Sequence, residues 1–430
     1  MSEGTTAPRP RKKIVFLTGT RADFGKLKPL IQVLRSDGTR FEVHIFATGM
    51  HLEPLYGSTV REIEKSGFDN IYRFINQTGQ GPMDRSLAYT IAGFGDYIRV
   101  TRPQLIVVHG DRIEALAGAM VGGLQNVRVA HVEGGELSGT IDGVIRHAVS
   151  KLSHIHFVSN EAARTRLLQL GELPESIHVI GSPDVDIMRS RSLPSLAAAL
   201  AHYEIPFTDY ALLVFHPVTT RLETLRRDTR ALLGAVAESG HNYIVIYPNS
   251  DAGSAMILEA YATALFDKPW VRAFPSIRFE HLLVLLKHAR FILGNSSMGI
   301  QEAPYFGVPT INVGSRQAGR TNNPHILHVE PVHAALRAAI DKACALQGKL
   351  KPLQEFGDGQ SHVRFHQTLR GEAVWSCALQ KPFRELAAVH SRPPPGTGTD
   401  HALGDTPSAG PHADHAPGNK PAGGAGSPIA

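Results

Sequence analysis

The chain reads as two doubly wound Rossmann-like α/β domains joined in tandem, and three observations carry that expectation. Its 430 residues exceed what one compact core holds. Short, continuously apolar, β-branched runs alternate with helical stretches, the pattern of a parallel sheet covered on both faces. The alternation also runs through two series with a pause between them.

Taken in order, a polar leader over residues 1–12 gives way to the strand "KIVFLTG". "LKPLIQVLRSDG" then reads as a helix, and "FEVHIFATG" as the next strand. The strands "LIVVHG", "VRVAHV", "HIHFVS" and "IHVIG" follow, with "EALAGAMVGGLQN" and "TIDGVIRHAV" as helices among them. The pattern pauses over "GSPDVDIMRSRSLPSLAAAL". It restarts with "YALLVFHPVTT", "YIVIYPNSDAG", "VRAFPS", "RFILGNSS" and "PTINVG". This predicts a first domain over 13–187 and a second over 188–385, with the last helix packing back on the first. The final forty residues hold no aromatic residue and are rich in Pro, Gly and Ala, so 386–430 is expected to be a disordered tail.

Composition narrows the function. Hydrophobic content of 42% and charged content of 19% are those of a soluble globular protein. No apolar run reaches bilayer-spanning length, and "MSEGTTAPRPRKK" lacks the apolar segment of a signal peptide, so a cytoplasmic protein without membrane partners is expected. The two cysteines, Cys344 and Cys377, have no metal-type spacing, which argues against a disulfide framework and a zinc site. The formal charge of +5 is dispersed, without the aromatic interleaving of a nucleic-acid groove, and suits a small anionic substrate. No metal or cofactor is expected.

In doubly wound sheets, ligands bind beyond the carboxyl ends of the strands, and with two domains the site is the cleft between them. Polar clusters stand at those ends. "KIVFLTG" is followed by Thr20, Arg21, Asp23 and Lys26, and "LIVVHG" by Asp111 and Arg112. "VRVAHV" leads into Glu133, Glu136, Asp142, Arg146 and His147. In the second series His216 follows one strand, and Asn249, Ser250 and Asp251 follow the next. Repetition at strand after strand points to one shared site, with Lys26 and Arg146 as candidate substrate-binding cations.

"GNSSMGIQEAPYFGVPT" has the make-up of an anion cradle: small residues, the hydroxyls of Ser296 and Ser297, and a helix expected to follow. A plain helix cap is the competing reading. Glu302, five residues after Ser297, would be placed to accept from ribose hydroxyls if the cradle binds phosphate, with a solvated helix glutamate as the competing reading, and Arg316 and Arg320 could offer charge to a diphosphate, with surface arginines as theirs. "GTRADFGKLKPL" is neither a Walker loop nor a Rossmann fingerprint, and "HVEGGE" is no dinucleotide motif, which excludes a nicotinamide enzyme. Asp111, Glu133 and Asp142 each have a structural alternative as cap or ion-pair partner. Gathered in one cleft with His216, they are better explained as proton-transfer and cation-stabilising groups.

The segments "GTRADFGKL", "GMHL", "VVHGDR", "AHVEGGELSGTIDGVIRHAVSKLSH", "FHPVTT", "PNSDAG" and "GNSSMGIQEAPYFGVPTINVGSRQAGR" together resemble the hydrolysing UDP-N-acetylglucosamine 2-epimerases of sialic acid biosynthesis. The similarity runs in order over about residues 13–370. It implies a GT-B-like fold with the active site in the interdomain cleft, and conversion of UDP-N-acetylglucosamine and water to N-acetylmannosamine and UDP. The implied nucleotide ligands are Arg21, Arg112, Asn249, Ser296, Ser297, Glu302 and Arg316, with His216 near the diphosphate and Ile277 against the uracil through its backbone. The implied catalytic carboxylates are Asp111, Glu133 and Asp142. Gly25 stands where some animal members carry Ser. A homodimer or homotetramer is expected.

Three alternatives share the cleft: a UDP-2,4-diacetamido-trideoxyhexose as substrate in a legionaminic-type pathway, a non-hydrolysing epimerase, and a GT-B glycosyltransferase. "GTR" followed by Ala22-Asp23 and the long "HVEGGELSGTIDGVIRH" segment look like the hydrolysing branch. A nucleotide-sugar sensor has no need of three cleft carboxylates.

Overall fold

The computed structural model describes residues 10–77, 81–321 and 323–385, all within one compact unit. The expected disordered tail lies outside the described residues.

Seven parallel strands form the first sheet: β1 (Lys12–Thr18), β2 (Phe41–Ala47), β3 (Ile71–Arg73), β4 (Leu105–His109), β5 (Arg128–Val132), β6 (Ile155–Val158) and β7 (Ile177–Val179). Their spatial order is β3-β2-β1-β4-β5-β6-β7. The second sheet holds β8 (Ala211–Val214), β9 (Tyr243–Ile246), β10 (Val271–Phe274), β11 (Ile292–Gly294), β12 (Thr310–Val313) and β13 (Ile326–Val329), in the order β10-β9-β8-β11-β12-β13. Both are doubly wound, so the order reverses between β1 and β4 and again between β8 and β11, where crevices open at the carboxyl ends.

Strand alternation builds a core on each face. From β1, Ile14 and Phe16 join one buried cluster, while Val15 and Leu17 join another on the opposite face. From β8, Ala211 and Leu213 face one way and Leu212 and Val214 the other. Burial on both faces is why these strands read as continuous apolar runs.

Two edge strands, β3 and β13, go beyond the sequence expectation. Both are short and partly exposed, so neither carries the apolar run that marks its neighbours. The pause in the pattern holds two short helices, Pro183–Met188 and Leu196–His202, where the chain passes between sheets.

The chain then returns to the first sheet. Asp186 accepts from the backbone N–H groups of Ser361 (2.9 Å) and His362 (2.8 Å), capping the helix Ser361–Arg370. Phe365 of that helix packs against Phe157, with ring centroids 4.6 Å apart. Beyond it, Lys381 Nζ donates to Glu172 Oε2 (2.6 Å), fixing the C-terminal segment to the first half.

Candidate active site

A cleft of about 260 Å³ is lined from both sheets at their carboxyl ends. The expected catalytic and substrate-binding residues all border it: Arg21, Lys26, Asp111, Arg112, Glu133, Asp142, Arg146, His216, Asn249, Ile277, Ser296, Ser297, Glu302 and Arg316; of the other strand-end residues, Glu136, His147, Ser250 and Asp251 do not. They are not equivalent.

Glu133 follows β5 in a left-handed conformation, φ +61°, sparsely populated outside glycine and held here by its surroundings. Its Oε1 accepts from Ser182 Oγ (2.5 Å), and its Oε2 lies 3.0 Å from His109 Nε2 and 3.2 Å from Lys26 Nζ. Burial opposes a charge there, yet Lys26 and His109 hold the carboxyl well below the ordinary range. Lys26 Nζ also contacts Asp184 Oδ2 (2.7 Å) and Gln301 Oε1 (3.0 Å). All three ammonium protons have partners inside the protein, so the cation expected for substrate organises Glu133 instead.

Asp111 pairs with the Arg146 guanidinium, whose other arm donates to the backbone oxygen of Glu133 (2.8 Å). Arg146 is thus engaged by the protein as well. Against the effect of burial, Arg146 and the more distant Arg320 and Arg316 hold Asp111 at about 2.

Asp142 has the opposite bias. It stands in the first turn of the helix Ile141–Leu152, behind the N-cap Thr140. Its Oδ2 lies 2.8 Å from Arg316 Nη2 on the far wall. Burial, together with Asp111 and Asp251, raises its pKa despite Arg316. A backbone bond from Gly139 N–H to Arg316 O (3.0 Å) holds the two loops together, and a Cβ at Gly139 would lie 1.9 Å from Ser315 O. Only glycine permits that approach.

The second wall is mostly cationic and polar. His216 is partly buried, and its Nδ1 accepts from the Asn249 N–H (3.1 Å). Burial, with Arg316 and Arg112 nearby, lowers its pKa well below the ordinary value. The neutral ring therefore carries its proton on Nε2. Arg112 contacts Glu114 Oε2 (3.4 Å) and Ser250 Oγ (3.5 Å). Arg21 Nε, Asn249 Oδ1 and Glu302 Oε2 are buried polar atoms with no protein partner among the described residues. Such atoms at a cleft are suited to a polar ligand. Arg320, by contrast, is turned into the protein, donating to Glu136 and to Gln317 Oε1 (3.0 Å).

One expectation needs correction. After Gly294 comes no long helix but the 3₁₀ turn Ser297–Gly299 and the short helix Glu302–Tyr305. Pro304 lacks an N–H to extend the ladder, and Gly307, at φ +68°, ends the segment. What favours an anion here is local N–H groups and hydroxyls rather than a macrodipole.

Sequence reasoning gave no role to His109, Asp184, Ser182, Gln301 and Glu136. Gln301 bridges the halves, accepting from Lys26 and donating to Glu136 Oε2 (3.0 Å). His109 lies inside "VVHGDR" and Gln301 directly before Glu302 inside "GNSSMGIQEAPYFGVPT", so position within a motif is the available signal.

Two Rossmann-like sheets whose carboxyl ends share a cleft define a GT-B-like α/β protein, and solved structures agree. A Methanocaldococcus jannaschii UDP-GlcNAc 2-epimerase, solved in complex with UDP-GlcNAc and UDP, superposes with a TM-score of 0.70 at 21% identity, covering 83% of this chain and 99% of that one. The UDP-N-acetylglucosamine 2-epimerase family model matches residues 34–370. A Neisseria meningitidis UDP-N-acetylglucosamine 2-epimerase is 45% identical over 378 residues, 87% of this chain and 99% of the relative. A Legionella pneumophila UDP-N,N'-diacetylbacillosamine 2-epimerase (hydrolyzing) is 32% identical over 374 residues, 86% and 98%. The chain belongs to the UDP-N-acetylglucosamine 2-epimerase family and is an enzyme of that family. No helix among the described residues is long and apolar enough to cross a membrane.

Proposed function

We propose that the protein is a hydrolysing UDP-N-acetylglucosamine 2-epimerase, releasing N-acetylmannosamine and UDP for sialic acid-type sugar synthesis. The observation that carries the reading is the cleft itself: carboxylates of opposite protonation bias face Arg112, Arg316 and the unpaired polar atoms of the nucleotide wall. The family and the Neisseria relative support the substrate.

In this reading the nucleotide takes Glu302 and Ser297 at its ribose and phosphates, with Ile277 beside the base. Arg112, Arg316 and the His216 Nε2–H stabilise charge on the departing diphosphate. As the anomeric C–O bond breaks, its electron pair leaves with UDP and positive charge grows on C1. Asp111 and Glu133 stabilise that charge. The C2–H bond becomes acidic beside it, so Glu133 is base enough to remove the proton, leaving 2-acetamidoglucal. Arg316, drawn to the diphosphate, releases Asp142, whose pKa then rises further. Water adds its oxygen at C1 and gives up its surplus proton to solvent, while Asp142 returns a proton to C2 from the other face, inverting that centre.

A second reading, the same reaction on a UDP-2,4-diacetamido-trideoxyhexose, is favoured by the Legionella relative. Incubation with each UDP sugar, following UDP release, separates the two. UDP release that requires an added acceptor would instead mark a glycosyltransferase.

A further inference from the structure

Gln301 stands between the nucleotide wall and the acids of the first half. Its backbone N–H donates to Ser297 O (3.0 Å) and its neighbour in the chain is Glu302, so it is tied to the anion cradle. The residue is 4% exposed, and its side chain reaches across to the first half. Oε1 accepts from Lys26 Nζ (3.0 Å), while Nε2 donates to Glu136 Oε2 (3.0 Å) and Oε1 (3.2 Å).

The two neighbours fix which way the amide points. An ionised carboxylate only accepts and an ammonium only donates, so the NH₂ faces Glu136 and the oxygen faces Lys26. Glu136 is anchored in turn by Ser159 Oγ (2.9 Å) and by Arg320. Burial opposes a charge on Lys26, but Asp184, Glu133 and Glu302 keep it an ammonium, with its pKa well above the ordinary value. Its Nζ lies 2.7 Å from Asp184 Oδ2 and 3.2 Å from Glu133 Oε2, so Asp184 makes the closer contact. The Gln301 oxygen is the third acceptor, and the only one of the three from the second half. With it in place, one position of Nζ serves all three acceptors, and that position keeps Lys26 against Glu133.

We propose that Gln301 is a positioning residue that couples the nucleotide wall to the base, holding Lys26 against Glu133 only when the second half is seated on the first. The inference rests on the epimerase reading and on Glu133 as the base. Gln301 itself exchanges no proton and takes no part in bond breaking. It acts on the reaction through Lys26, so its loss falls on turnover rather than on binding. The halves keep other links without it. Gly139 N–H still donates to Arg316 O (3.0 Å), and Ser276 Oγ to Tyr56 O (3.1 Å). Glu302 and the Ser297 hydroxyl also stay in place for the nucleotide.

Two variants test this. Gln301→Met keeps the length of the side chain and removes both bonds. Gln301→Asn keeps the amide but is one methylene too short to span Lys26 and Glu136, and it serves if the first variant folds poorly. In each, kcat is expected to fall about 10-fold or more, with KM and UDP affinity within about threefold of wild type. In a Lys26→Met background, Gln301→Met should change kcat by less than about twofold, because its route to Glu133 is already gone. Wild-type kcat in a folded variant, or a full loss that persists in the Lys26→Met background, would overturn the proposal. A loss confined to UDP affinity would also overturn it, making Gln301 a ligand contact or a clasp between the halves. If wild type releases UDP from no UDP-amino sugar, the epimerase reading fails and this coupling with it, whereas failure of the Gln301 tests alone leaves that reading standing.

Discussion

Asp142 Oδ2 and Arg316 Nη2 lie 2.8 Å apart across the cleft, joining a helix behind β5 to the loop behind β12. A diphosphate competes with Asp142 for that guanidinium. Removing the carboxylate charge removes the competitor and a repulsion, so Asp142→Asn should bind UDP about threefold or more tightly than wild type. Turnover should fall by about two orders of magnitude, because the C2 proton donor is gone. Calorimetry and steady-state rates on one preparation decide it, and weaker UDP binding would show that the pair holds the nucleotide site open.

Lys26 was legible as a cleft cation but not as one bound on all sides. Lys26→Met should leave UDP affinity within about threefold while lowering turnover by about 100-fold, since Glu133 and Asp184 lose their counter-ion rather than the nucleotide a contact. A large loss of UDP affinity in a folded variant would return Lys26 to substrate binding.

A Cβ at Gly25 would lie 2.8 Å from Phe279 Cγ, where the helix Arg21–Ser36 meets the second half. Gly25→Ser should therefore destabilise the protein by about 1–3 kcal/mol, and Phe279→Leu should recover part of that loss. Denaturant midpoints of the two single variants and the double variant measure the coupling, and strictly additive effects would contradict it.

Glu172 is buried under His156 and Lys381. Burial works against its charge, but those two hydrogen bonds hold its pKa at about 2, below the ordinary value of 4.5. A lowered carboxyl pKa contributes stability above its unfolded value, and that contribution is lost as pH falls through the folded one. Glu172→Gln should cost about 2 kcal/mol at pH 7, with the difference from wild type shrinking below about pH 4.5. Urea unfolding across that range tests it, and a pH-independent difference would mean that packing, not charge, is what Glu172 supplies.

The C-terminal segment separates into two parts by the same logic. Deleting Ser391 to Ala430 should leave turnover unchanged, since its composition offers too little apolar surface to offset the entropy of ordering. Deleting from Cys377 also removes Lys381 from Glu172 and should lower the melting temperature by several degrees. Loss of activity in the folded shorter deletion would assign the tail a role in the site.

The sheets were legible because burial on both faces writes an apolar run, as in "LIVVHG", while β3 and β13 stayed hidden as partly exposed edges. The cleft was legible because strand ends in such folds are where polar residues gather. Partner choice was not. Nothing in "GTRADFGKL" says that Lys26 turns inward to Asp184, a residue of the pause between series, or that Gln301 reaches it from the other half. Charge bias follows from those three-dimensional neighbours, so Asp142 and Glu133, alike in sequence, differ in the folded chain.

In the proposed mechanism the anomeric C–O bond breaks by elimination, with Glu133 and Asp142 acting on opposite faces of C2. The most direct measurement is turnover of UDP-N-acetylglucosamine in deuterated, ¹⁸O-labelled water, with both products analysed by NMR and mass spectrometry. Elimination gives N-acetylmannosamine carrying deuterium at C2 and ¹⁸O at C1, and UDP without solvent oxygen. N-acetylglucosamine without deuterium at C2, or UDP carrying ¹⁸O, would contradict it.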